Sequence, residues 1–112
     1  MTGTLRSQTI VNALVYFGAS LYHSGLVVSA GALGPASIAE ALLGVVLVAG
    51  AAGLINSRLT YGVVLVGTLF GLTIVVLRGL SGVDLWIHLV MLAGLALGFW
   101  LIFKGARSTR ST

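Results

Sequence analysis

The chain has 112 residues, of which 58% are hydrophobic and 7% charged, whereas a soluble domain carries about 25% charged residues. A chain this short leaves much of its surface exposed, so it cannot hide that apolar content from water, and lipid is the expected solvent. The formal charge of +4 sits in short flanks without an interleaved aromatic stripe, which argues against a nucleic-acid partner. The absence of cysteine excludes disulfides, thiolate metal sites, iron–sulfur ligation and a thiol nucleophile.

The N-terminus lacks the pattern of a cleaved signal peptide, and the apolar run after Arg6 reads as a retained helix. Charges punctuate the rest of the chain. Glu40, Arg58, Arg78, Asp84 and Lys104 bound three uncharged stretches, each close to the ~20 residues that span a bilayer core. Four helices are predicted, at about 8–30, 36–56, 60–78 and 84–104, followed by a short basic tail over 105–112. In the first, Asn12, Tyr16, Ser20, His23 and Ser24 recur at helical spacing and share one face. Polar groups are costly in lipid, so that face is expected to look into a bundle or a partner.

Gly31, Gly34 and Pro35 interrupt the first apolar run, and proline suits a helix start. Ser37 with Glu40, and Ser81 with Asp84, have capping-box spacing. Asn56-Ser57-Arg58 separates the second helix from the third, and Gly79-Leu80-Ser81-Gly82 the third from the fourth. Such short connections make sequential helices antiparallel neighbours. The expected fold class is therefore an all-α membrane protein, a four-transmembrane-helix antiparallel bundle. Gly44, Gly50 and Gly53 on the second helix, Gly67-x-x-x-Gly71 on the third and Gly94-x-x-x-Gly98 on the fourth let backbones approach closely. Packing inside one bundle is the simpler use of these glycines, and contact with another subunit the sharper one.

With four spans, Arg6, Arg58, Lys104, Arg107 and Arg110 fall on one side, and Arg78 on the other with Glu40 and Asp84. The positive-inside rule then puts both termini in the cytoplasm and the chain in the cell membrane. Trp86 and Trp100, about 21 Å apart along a helix, suit the two interfacial belts.

Every ionisable group outside the cytoplasmic flanks gathers at the outer end: His23, Glu40, Arg78, Asp84 and His88. His23 is expected about 10 Å below the outer end of helix one. Asp84, four residues before His88, is placed to orient its imidazole. Three chemistries fit this set. Two histidines on different helices can ligate haem iron. They can hold a transition metal with Glu40 or Asp84 as an oxygen ligand. They can flank a quinone head-group, with a histidine or Tyr22 as hydrogen-bond partner and proton carrier. The plainer account makes Glu40 and Asp84 helix caps, Arg78 an interfacial anchor, and each histidine a satisfied polar residue. No nucleophile elbow, H-E-x-x-H pair, phosphate loop or dinucleotide fingerprint is present.

Glu40-Ala-Leu-Leu-Gly44, continuing to Gly50 and Arg58, resembles the second-helix pattern of the DoxX-like family, in which a glutamate precedes two glycines and a loop arginine. Leu21-Tyr22-His23-Ser24-Gly25-Leu26 is similar to the end of that family's first helix. The resemblance implies a four-helix membrane subunit, tied in some members to quinone or sulfur-compound oxidation, and singles out Glu40 and His23. The leading expectation is a small accessory or anchor subunit of a larger membrane complex of respiratory or redox type, without catalytic activity of its own. One alternative is a redox protein binding haem b or quinone through His23 and His88. Another is a homo-oligomeric channel or small transporter joined through the glycine motifs. The expected partners are the lipid bilayer and either other membrane subunits or further copies of the chain.

Overall fold

The computed structural model describes residues 1–26, 34–79 and 82–110, with side chains as far as Gly105. The expected break at Gly31, the connection at Leu80, the cap at Ser81 and the side chains of Arg107 and Arg110 lie outside the described parts. Within them the chain is all-α, with α1 at Gly3–His23, α2 at Gly34–Ala51, α3 at Ser57–Leu77 and α4 at Val83–Arg110. Each helix packs against the next and α4 closes against α1, giving a four-helix ring. Three helical stretches, Gly34–Ala51, Ser57–Leu77 and Val83–Gly105, are long and apolar enough to cross a membrane.

Local chemistry sets the helix ends. The Thr2 hydroxyl accepts from the Leu5 amide at 3.2 Å, so α1 begins several residues before the predicted start. It stops at His23 rather than running to 30, because Gly25 turns the chain with a φ of +79°. α2 likewise stops at Ala51, short of 56. Gly53 has a φ of +83°, its amide reaches the Gly50 carbonyl at 3.1 Å, and the Leu54 amide reaches the Ala49 carbonyl at 2.9 Å. Together these form a Schellman stop. Asn56 opens α3 by accepting from the amides of Arg58 and Leu59 at 2.8 and 3.3 Å.

α1 is built inside out. Thr9, Asn12, Tyr16 and His23 are buried, while Ile10, Val11, Leu14, Phe17 and Leu21 are exposed. Its polar face meets the other helices across the bundle. Asn12 donates to the Tyr61 hydroxyl and to the Gly94 carbonyl, both at 3.1 Å, and accepts from Gln8 at 3.0 Å. The hydroxyls of Thr9 and Tyr61 bond at 2.9 Å, and one level further along Tyr16 bonds Thr68. Thr9 and Thr68 each donate to the carbonyl four residues earlier, at 2.7 Å, so both tyrosines act as the donors in these pairs. In lipid each interhelical bond of this kind contributes about 0.6 kcal/mol and at most about 1.7.

The glycines serve this interior. A Cβ on Gly67 would come within 3.0 Å of Leu43, on Gly71 within 2.9 Å of His88, and on Gly44 within 2.8 Å of Phe17. A Cβ on Gly94 would strike Asn12, and one on Gly98 the ring of Tyr61. Both G-x-x-x-G pairs thus make room for side chains of the same chain. Trp86 and Trp100 remain exposed, with the Lys104 ammonium 4.9 Å from the centre of the Trp100 ring.

Gly98→Ala should overpack Tyr61 and cost about 1–3 kcal/mol. Gly62→Ala, whose Cβ meets nothing within 4 Å, should be neutral or stabilising by about 0.5–1 kcal/mol. Thermal unfolding in detergent, followed by circular dichroism, checks the pair, and equal midpoints would refute this packing.

Candidate functional site

At the end of the bundle where α1 finishes, three helices deliver one side chain each to a single buried group. His23 is the last residue of α1, Glu40 lies in the second turn of α2, and Asp84 is in the first turn of α4. His23 Nδ1 is 2.8 Å from both Glu40 carboxylate oxygens, and His23 Nε2 is 2.6 Å from Asp84 Oδ1. The side chains are 1% exposed for His23, 8% for Glu40 and 20% for Asp84. Asp84 also sits where a helix N-terminus favours negative charge.

Serines one turn away set this register. Ser20 donates to the Ser37 carbonyl at 2.7 Å, and Ser37 donates back to the Ser20 carbonyl at 2.8 Å. Residues three further along each helix share those faces, so His23 and Glu40 lie on the facing sides of α1 and α2, and their side chains span the remaining offset. Ser37 is therefore a latch to α1 rather than the expected cap, and Glu40 is spent on His23 rather than on the α2 terminus. His23 also stands at the end of its helix rather than 10 Å inside it. Ser24, the last of the predicted polar face, turns its hydroxyl to the Leu21 carbonyl at 2.6 Å.

An ionised carboxylate only accepts hydrogen bonds, so each of the two short contacts requires a proton between its partners. The triad therefore holds two protons and a net charge of −1. Either a histidinium lies between two carboxylates, or a neutral imidazole lies between one carboxylate and one carboxylic acid. Each arrangement satisfies every group, which is the condition for keeping charge in an apolar interior.

The triad forms one end of a cavity of about 240 Å³. His88 and Arg78 line it beside His23, Glu40 and Asp84, so all five groups of the predicted outer cluster meet there. His88 is 7% exposed, and its Nδ1 is 2.8 Å from the Asp84 backbone carbonyl. Asp84 thus orients His88 through its main chain and holds His23 with its side chain. Leu43, Phe70, Val75 and Met91 make the wall apolar, and Tyr16 with Thr68 lies deeper. Pro35 and Ala39 of α2 and Phe70 and Ile74 of α3 are exposed lining residues, so the cavity opens sideways between α2 and α3. Tyr22 packs edge-on against the His23 ring, centroids 5.3 Å apart, and does not line the cavity. Sequence reasoning misses Thr68 and the Ser20–Ser37 latch as site residues. Ser20 lies on the recognised polar face, whereas nothing in the sequence marks Thr68 or Ser37 as part of it.

Both ring nitrogens of His23 are committed to carboxylates, so this histidine presents no lone pair to haem iron, and the two-histidine ligation does not fit these residues. Among the described residues no three His, Asp or Glu side chains are arranged to hold a metal ion. No family model, curated protein or solved structure matches the chain.

His23→Leu leaves two carboxylates buried without their common partner and should cost about 3–5 kcal/mol. Glu40→Gln keeps a hydrogen-bond partner for His23 and should cost less, about 1–2 kcal/mol. Denaturant unfolding in micelles at neutral pH gives the order, and a smaller loss for His23→Leu would contradict the bridging role.

Proposed function

We propose that this chain is a four-span membrane protein whose cavity receives the head-group of a lipid-soluble, quinone-type ligand. The observation that carries this reading is the cavity itself, which joins a sideways, apolar opening to His88 and to a group that holds protons. Such a ligand arrives through lipid, presents a ring with oxygen substituents, and gains or loses protons with its redox state. An engineered cavity of ~150 Å³ holds benzene, so about 240 Å³ suits a substituted single ring. A macrocycle calls for far more space.

The distribution of residues on α1 supports a fourth span. From Thr9 to His23 its exposed large side chains, Ile10, Val11, Leu14, Phe17 and Leu21, are apolar, while Thr9, Asn12, Tyr16 and His23 are buried, so an average over the helix understates its fitness for lipid. Arg6, Arg58, Lys104, Arg107 and Arg110 then share the cytoplasmic side with both termini, and the cavity lies in the outer leaflet of the plasma membrane. An accessory role in a larger redox complex is compatible with this site, which needs only the bundle, and so is membership of the DoxX-like family. The axis of the bundle is filled by Tyr16, Tyr61, Leu47 and Leu95, each at most 1% exposed, which disfavours a pore along it.

The chain has no native cysteine, so single cysteines report topology directly. Ser57→Cys should react with an impermeant thiol reagent only from the cytoplasmic side, and Gly82→Cys only from the outside. Labelling of both from one side would end the four-span reading. Ala39→Trp at the cavity rim should weaken binding of a short-chain ubiquinone analogue to nanodisc-embedded protein at least about tenfold, or roughly 1.4 kcal/mol. Unchanged binding would remove the cavity from the proposal.

A further inference from the structure

We propose that the cavity selects the hydroxyl-bearing, reduced form of its ligand, the quinol over the quinone, because His88 Nε2 meets it as a bare hydrogen-bond acceptor. The inference rests on the reading of the cavity as a quinone-type site and adds which form binds. A backbone carbonyl can only accept, so the 2.8 Å contact with Asp84 O assigns the ring N–H of a neutral His88 to Nδ1. The other nitrogen, Nε2, keeps its lone pair. It makes no hydrogen bond to the described residues and lies against Gly71, where a Cβ would come within 2.9 Å of it.

The buried polar groups around His88 have spent their donors. Thr68 gives its hydroxyl proton to the Val64 carbonyl, and Tyr16 gives its own to Thr68. His23, Glu40 and Asp84 share their protons with one another. Arg78 lines the cavity as well, but as an exposed residue at its outer end. The buried interior thus offers acceptors, and the donors of Arg78 stay at the exposed end. A phenolic hydroxyl completes His88, whereas a carbonyl oxygen would face a lone pair and leave two buried acceptors unpaired. Sites built to bond a substrate hydroxyl reject the analogue that lacks one by large factors, so a preference of about tenfold or more is expected. The groups facing His88 include the anionic triad, and an imidazolium would turn Nε2 into a donor and reverse the preference.

The test uses the full chain in nanodiscs under anaerobic conditions, titrated with a short-chain ubiquinol analogue and with its quinone. Tighter quinol binding by at least about tenfold, lost in His88→Leu, is the expected result. Equal or tighter quinone binding, or a preference that survives His88→Leu, overturns this inference and leaves the ligand reading standing. Failure of both forms to bind overturns the ligand reading as well. Should His88→Leu not fold, 15N NMR of the unaltered protein decides. An unprotonated Nε2 on His88 is expected, and a protonated one refutes the proposal.

Discussion

One imidazole ties three helices together. His23 reaches Glu40 on α2 with one nitrogen and Asp84 on α4 with the other, at 2.8 and 2.6 Å. The three groups satisfy each other only as a set. Two carboxylates this close would repel without the proton-bearing ring between them, and the ring would be an unpaired polar group without the carboxylates. Everything else at this end depends on keeping the set intact. The Ser20–Ser37 latch holds the register, Gly25 ends α1 directly beyond the histidine, and Asp84 spends its main-chain carbonyl on His88.

The bundle was legible in the sequence wherever a charge or a turn residue marked a boundary. α3 and α4 begin within three residues of their predicted starts, because Asn56 and the Gly79–Gly82 connection punctuate the chain there. The ends of α1 and α2 were placed too late, since a run of apolar residues does not reveal where the backbone enters a left-handed turn. Gly25 and Gly53 do so without altering the hydropathy. The gathering of His23, Glu40, Arg78, Asp84 and His88 at one end was also legible, since helix lengths alone put them at one depth. Their division of labour was not. Helical spacing paired Asp84 with His88 through side chains, and the fold pairs Asp84 with His23 instead, because the rotation of α4 about its axis is set by Asn12 and Tyr61 packing on Gly94 and Gly98.

The glycine motifs carry a related lesson. Spacing identifies a face of small residues and leaves open what fills the space above it. Here the occupants are Leu43, His88, Asn12 and Tyr61, all large or polar side chains of the same chain. The small residues admit the polar layer that a chain of this length needs for a specific arrangement. In lipid, apolar contact alone discriminates poorly between one helix packing and another.

The map of these bonds also fixes the position of the cavity. α3 is joined to α1 near its start by Tyr61, through Thr9 and Asn12, and at mid-length by Thr68, through Tyr16. Beyond Thr68 its next hydroxyl, on Thr73, turns back to the Leu69 carbonyl of its own helix. His23 meanwhile draws the facing ends of α1, α2 and α4 together and takes no partner from α3. Among the described residues three helices are thus bonded at that end and the fourth is held there by packing, so the gap opens between α2 and α3. Any ligand admitted through it meets His88, the one ring of the cluster with a nitrogen left over. The pairing that closes the bundle on three sides is the same pairing that leaves the fourth side open.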